Sequence, residues 1–160
     1  MTPRVAAVIV TWNRLGLLRR LVRALEDASV RPDVLVVVDN ASDDGTAQWL
    51  GAGESVLPMR VVSLAENTGG AGGFHEGIRA ALDEDADLLW LMDDDGLPTP
   101  DCLERLLERR DEWDLWGPLV VAEDDPARLC FPIRLPGRRH VVRTVDEASA
   151  AAGQAVIADV

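Results

Sequence analysis

Lysine is absent from the 160 residues, so all 16 basic residues are arginines, a bias that carries no function by itself. Cysteine is scarce. Cys102 and Cys130 stand too far apart for a local zinc motif and have no Cys or His neighbours at ligand spacing, so both are expected as buried, reduced thiols. The two histidines, His75 and His140, are isolated and are expected at the surface or in helix packing, although His75 lies beside a glycine-rich turn. No apolar run reaches the roughly 18 residues of a membrane span, and the start, Met-Thr-Pro-Arg before a short strand-like run, lacks a signal-peptide pattern. A cytoplasmic location is predicted, including the inner face of the cell membrane. Positive charge is also short. With a formal charge of −12 the domain is a poor partner for nucleic acid, and a phosphate-bearing ligand would need a cation as intermediary. There is no internal repeat and no low-complexity tract.

What is present is enough apolar material for one packed domain, 48% of the residues. Val5 to Thr11 is a continuous, β-branched apolar run, as expected of a central strand covered on both faces. Leu17, Leu18, Leu21, Val22 and Leu25 then repeat at helical spacing. Further strands are predicted at Val34 to Val38, Arg60 to Leu64 and Asp87 to Met92. Helical stretches separate them at Ala47 to Leu50 and Gly72 to Leu82. Strands alternating with helices imply βαβ units, an α/β three-layer sandwich with a mainly parallel central sheet. Another helix is predicted with Thr99 as N-cap and Pro100 at its first position, running to about Arg110. Beyond Gly117 the pattern loosens: a strand-like Leu119 to Val121, an acidic turn at Glu123 to Asp125, proline-punctuated segments through Pro136, a weak helix near Val145 to Ala152, and an apolar run from Val156 to Val160.

Ligands of open α/β sheets bind outside the carboxyl ends of the strands, and here those ends are polar. Thr11, Trp12, Asn13 and Arg14 follow the first strand, Asp39, Asn40 and Ser42 the second, Glu66, Asn67 and the glycines the third, and Asp93, Asp94 and Asp95 the fourth. Three adjacent carboxylates repel one another unless a cation neutralises them, and hard oxygen ligands favour Mg²⁺ or Mn²⁺ bridging to phosphates. Alternation puts Asp93 and Asp95 on one side and Asp94 on the other. A solvated acidic turn is the plain alternative; the convergence of four strand ends argues against it. Asn67 to Phe74 removes side chains where a helix begins, so Gly70 can let backbone approach a ligand. It is neither a Walker A loop nor a dinucleotide fingerprint. Asp39 to Gly45 superficially suggests a calcium loop but lacks the ligand register; Asp39 as an acceptor for base or ribose groups fits better. Trp12 is placed to stack on a nucleobase. Arg134, Arg138, Arg139 and Arg143 form a local basic patch for which phosphate contact and plain solvation are both open.

Taken together, Val10-Thr11-Trp12-Asn13-Arg14, Val38-Asp39-Asn40-Ala41-Ser42 with Asp44-Gly45-Thr46, and Asp93-Asp94-Asp95 resemble glycosyltransferase family 2, over about the first two thirds of the chain. Within it, Asn67 to Phe74, Asp124 to Leu129 and Phe131 to Arg134 are similar to actinobacterial galactofuranosyltransferases. The resemblance implies a GT-A fold and an inverting, metal-dependent transfer of galactofuranose from a UDP-sugar donor to a polyprenyl-diphosphate-linked cell-wall glycan. It further implies that Thr11, Trp12, Arg14, Asp39, Asn67 and Gly70 hold the UDP moiety, with Asp94 near ribose or sugar. Asp93 and Asp95 would bind Mn²⁺ or Mg²⁺. The family's general base comes from a later region than this sequence covers, so the catalytic base is unassigned, and Asp124 and Asp125 are expected to be surface or structural. The expected division is a donor-binding core at 1–116 and the beginning of an acceptor-side region at 117–160, as in a truncated chain.

Two rival classes remain: a nucleotidyltransferase, which should carry a glycine-rich basic loop after the first strand where Thr11 to Arg14 has no glycine, and a non-catalytic nucleotide-binding module. The sequence sets neither the sugar nor the oligomeric state.

Overall fold

The computed structural model describes residues 2–112, 114–134 and 141–152, which fall into two compact units, Met1–Pro100 and Asp101–Val160. Pro136, Arg138, Arg139, His140 and the run Val156 to Val160 lie outside the described residues.

The first unit is an α/β unit with four parallel strands in the order β3-β2-β1-β4. They are β1 (Val5–Thr11), β2 (Val34–Asp39), β3 (Met59–Ser63) and β4 (Leu88–Asp93). Every residue of β1 and β2 is buried, which is why both read as unbroken apolar runs. Side chains alternate between two cores. Ala7, Ile9, Leu35 and Val37 meet Leu18, Leu21, Val22 and Leu25 of α1 (Leu15–Glu26) and Leu50 of α2 (Thr46–Ala52). Ala6, Val8, Val34 and Val36 face Ala80 and Ala81 of α3 (Gly69–Leu82) on the other side. The expected three layers and parallel sheet are both present.

Helix α3 begins three residues earlier than its periodicity indicates, so the glycines form its first turn instead of a loop before it. Their reasons differ. A Cβ on Gly73 would come 2.5 Å from Val10 Cγ1, and one on Gly77 2.5 Å from Val8 Cγ1, so these two let the helix lie directly against β1. Gly69, at φ +71°, turns the chain into the helix.

The second unit holds α4 (Cys102–Glu108), the antiparallel strands β5 (Val121–Ala122), β6 (Asp125–Arg134) and β7 (Val141–Thr144), and α5 (Val145–Ala152). Leu119, Leu129, Val142 and Ala148 form its small core. Three expectations are corrected here. First, the helix expected from Thr99 starts at Cys102 with Asp101 as its N-cap. The Pro100 carbonyl accepts the Ser29 N–H at 2.8 Å and its hydroxyl at 3.1 Å, while the first intrahelical bond runs from Arg105 N–H to Asp101. Second, the proline-punctuated stretch is the ten-residue strand β6. Pro126 and Pro132 both fall where its pairing register shifts, positions at which a missing N–H costs no ladder bond. Third, Cys130 is exposed on β6, and only Cys102 is buried, its thiol pushed up to about 11 chiefly by desolvation. Helix α5 matches its expected span. Thr144 and Glu147 form a capping box there, each side chain accepting the other's backbone N–H, at 3.2 and 3.3 Å. Among the described residues no helix is long and apolar enough to cross a membrane.

The two kinds of helical glycine separate under mutation. Gly77→Ala should lower unfolding stability by about 1–2 kcal/mol, overpacking against Val8 outweighing the gain in helix propensity. Gly16→Ala, with nothing within 4 Å of the added methyl, should raise it by up to about 1 kcal/mol. Urea denaturation of the two variants measures both.

Candidate functional site

From β1 the chain steps outward through β2 and β3, then crosses to the other side of β1 to form β4. The loops at the carboxyl ends of β1 and β4 therefore diverge, leaving a crevice at the switch point. A cleft of about 220 Å³ opens there. The end of β1 contributes Val10, Thr11, Trp12 and Arg14 to its wall, and β4 contributes Asp93 and Asp94. Asn40, Asn67, Gly69 and Gly70 complete it. A second hollow of about 200 Å³ beside α2 and β3 is lined mainly by apolar side chains such as Trp49, Leu57 and Met59 and carries no comparable polar cluster.

The acidic triplet is not uniform. Asp94 is buried, and its Oδ2 accepts the Thr11 hydroxyl at 2.7 Å while its Oδ1 accepts Arg14 Nη1 at 3.2 Å. Asp93 and Asp95 are exposed and Asp94 is buried, but the predicted alternation of sides fails at Asp95, whose carboxylate meets the same Arg14 Nη1 as that of Asp94. The last step of the triplet belongs to a turn, closed by the Gly96 N–H on the Asp93 carbonyl at 3.3 Å. Arg14 Nη1 also reaches Asp95 Oδ2 at 3.1 Å. Its pKa is raised, first by the hydrogen bond to Asp94 and then by the charges of Asp94 and Asp95. The Asp93 carboxyl is likewise held above the ordinary carboxylate range, by local desolvation first and then by Asp95 and Asp94, with Arg14 opposing.

The loops around the cleft are tied to one another. Asn13, at φ 54°, donates its N–H to Ser42 Oγ at 2.9 Å and accepts the Asp43 N–H at 2.7 Å. Asp44 accepts the Leu15 N–H at 2.8 Å at the start of α1, and the Thr46 hydroxyl at 2.6 Å and N–H at 3.1 Å at the start of α2. One carboxylate thus satisfies the open ends of two helices, a favourable position against their dipoles. Its pKa is lowered, chiefly by Thr46 and then Leu15. Asn40 is buried and braces the glycine segment, accepting the Thr68 N–H at 2.9 Å and donating to the Gly69 carbonyl at 3.1 Å. Asn67 accepts the Gly69 N–H at 2.8 Å, and the N-cap residue Thr68 makes no side-chain cap. The amino end of α3 consequently opens on the cleft, with Gly69 and Gly70 in its wall.

Seven of the predicted site residues, Thr11, Trp12, Arg14, Asn67, Gly70, Asp93 and Asp94, line this one cleft. Asp39 and Asp95 are not among its lining residues: Asp39 is buried, accepting the Ser42 N–H at 3.0 Å, and Asp95 is exposed and bonded by Arg14. Asn40 and Asp44 are the structural supports that the sequence reading left without a role. The signal for Asp44 was the Asp-Gly-Thr start of α2, but nothing local shows that it also caps α1. His75 lies on the solvent side of α3 near Glu76. Asp124 pairs with Arg128 at 2.7 Å, and Asp125 accepts the Ala127 N–H at 3.2 Å. Among the described residues no three His, Cys, Asp or Glu side chains converge as a metal cage. The donor set nonetheless fits a hard cation: oxygen ligands only, with three carboxylates facing one hydrogen-bonded guanidinium.

The family model for glycosyl transferase family 2 matches residues 6–136, and the chain belongs to that family. The galactofuranosyltransferase GlfT1 of Mycolicibacterium smegmatis is 40% identical over 136 residues, covering 83% of this chain and 44% of that protein. The chain therefore spans less than half the length of this relative. Mannosyltransferase PcManGT from Pyrobaculum calidifontis, solved with GDP-Man and Mn²⁺, matches at a TM-score of 0.56 and 25% identity, over 70% of this chain and 34% of that one. S. aureus TarS 1–349, solved with UDP-GlcNAc, matches at 0.55 and 24% identity over 68% and 31%, a likeness of fold alone. The fold is of the GT-A type.

Two tests bear on the site itself. Thr11→Val removes a donor from a buried carboxylate and should cost about 1–3 kcal/mol of stability by denaturant titration. For Asp93, a raised carboxyl pKa means that stability is lost as pH rises from the unfolded value through the folded one. Asp93→Asn should therefore raise the melting temperature at neutral pH and leave it unchanged below the ordinary carboxylate range, as read by calorimetry across pH.

Proposed function

We propose that the chain is the donor-binding part of a metal-dependent, inverting glycosyltransferase. The donor is UDP-galactofuranose, and the acceptor is a polyprenyl-diphosphate-linked cell-wall glycan. The observation that carries this reading is the charge balance at the switch point. Three carboxylates face one guanidinium, a deficit of two that a divalent cation matches, next to a helix amino terminus suited to a diphosphate. Kinship with GlfT1 supports the sugar, and the Mn²⁺ of PcManGT supports the metal.

In this reading Trp12, half exposed at the cleft mouth, stacks on the uracil. Thr11, Asp39 and Asn67 hold the nucleoside, and Gly70 lets the diphosphate approach the backbone of α3. Asp93 and Asp95 bind Mn²⁺ or Mg²⁺, and Asp94 lies near ribose or sugar. When bound, the metal supplies Lewis-acid stabilisation of the departing diphosphate. At about 220 Å³ the cleft is smaller than the roughly 300–1,000 Å³ usual for whole small-molecule sites, so it accommodates part of the donor. Residues 1–116 form the donor-binding core and 117–160 begin the acceptor side. The general base is assigned to none of the cleft residues, all of which are committed to donor, metal or fold. A lipid-linked acceptor would bring the enzyme to the cytoplasmic face of the membrane.

Calorimetric titration of UDP into the chain tests the reading. Binding is expected with Mn²⁺, and it should fall on the order of 100-fold with EDTA or in Asp93→Ala/Asp95→Ala, the weight of a few kcal/mol of metal charge stabilisation. Absence of UDP binding by a folded chain at any Mn²⁺ concentration overturns it. Metal-dependent binding without transfer to a lipid-linked acceptor would favour the nucleotide-binding module instead.

A further inference from the structure

We propose that Arg14 is a placeholder cation: its guanidinium occupies Asp95 until a nucleoside diphosphate is present to take it over, so that metal and donor bind cooperatively. The inference rests on the metal-dependent reading above and concerns how that site is controlled.

Arg14 is clamped at its backbone, while its tip is held through Nη1 by Asp94 and Asp95. Its carbonyl accepts the N–H groups of Leu17 and Leu18, both at 3.0 Å, as α1 begins. On one side Asn13 is bonded to Ser42 and Asp43, and on the other Leu15 is bonded to Asp44. The side chain is half exposed. Its two partners are unequal. Asp94, only 4% exposed, is anchored by Thr11 as well as by Arg14, so that contact has little freedom. Asp95 is 55% exposed, and its carboxylate meets Arg14 at 3.1 Å. An exposed ion pair of this kind is weak and exchangeable.

A guanidinium cannot relieve crowding by losing its proton. A divalent ion drawn to Asp93 and Asp95 therefore meets Arg14 as a competitor. A single and a double positive charge about 6 Å apart in water repel enough to weaken metal binding about tenfold. Phosphate accepts the same fork of N–H donors as carboxylate does, and Arg14 shares the cleft wall with Gly69 and Gly70 at the start of α3. With a diphosphate there, Arg14 exchanges one anion for another and Asp95 becomes available. By linkage, the metal then strengthens diphosphate binding by the same factor.

The test measures Mn²⁺ affinity of the full chain, alone and with saturating UDP, for wild type and Arg14→Gln. The variant should bind Mn²⁺ alone about tenfold more tightly than wild type, while UDP raises its Mn²⁺ affinity less than it raises that of wild type. Equal or weaker binding of Mn²⁺ alone by the variant, or undiminished coupling to UDP, overturns the proposal. If neither protein binds Mn²⁺ with or without UDP, the metal-dependent reading itself falls, an outcome distinct from the others. Should the Gln variant not fold by circular dichroism, Arg14→Lys decides. It keeps the charge but not the fork, so it should bind Mn²⁺ alone as wild type does and lose coupling to UDP. Tighter binding of Mn²⁺ alone by the Lys variant would contradict the proposal.

Discussion

The buried carboxylate of Asp94 is the constraint on which the site depends. A carboxylate cut off from water must be given donors, and the structure takes both from the end of β1, the Thr11 hydroxyl and the Arg14 guanidinium. That requirement ties the carboxyl ends of β1 and β4 together where the strand order reverses. It also decides which acid of the triplet is buried, leaving Asp93 and Asp95 exposed.

Around this anchor, small polar groups hold the cleft walls. Asn13 and Asp44 fasten the loop after β1 to the loop after β2, and Asn40 ties in Thr68 and Gly69 at the start of α3. Charge that could have served only solubility is used to cap helices: Asp44 serves α1 and α2 together. The arrangement separates support from function. Asp44 and Asn40 are spent on backbone groups, whereas Asp93, Trp12 and the first turn of α3 remain open to the cleft. Asp93 is held there at some cost, since its ionised form is opposed by desolvation and by two neighbouring acids.

The division within the glycine segment shows how one composition serves two ends. Gly69 and Gly70 open the amino terminus of α3 to the cleft, while Gly73 and Gly77 let the same helix press on Val10 and Val8. The close approach of helix to strand is what carries the amino terminus to the switch point. Packing and site therefore constrain each other through one helix.

Most of the first unit was legible in the sequence. Fully buried parallel strands cannot alternate with polar residues, so β1 and β2 stood out, and amphipathic spacing located α1. The polar residues after each strand named the site because sheet topology leaves their loops at one edge. The second unit was less legible: β6 passes through two prolines that only its irregular pairing tolerates, and β7 has no signal outside that pairing. By itself, then, the sequence determined the layered parallel fold and the neighbourhood of seven cleft residues, since both follow from local periodicity and strand order. Tertiary structure alone decided that Asp94 is buried, that Asp44 caps two helices, and that Arg14 bridges Asp94 and Asp95. Each of those depends on donors and acceptors brought together from some 30 to 80 residues apart, as in Thr11 with Asp94 and Leu15 with Asp44, and local pattern holds no record of such distances.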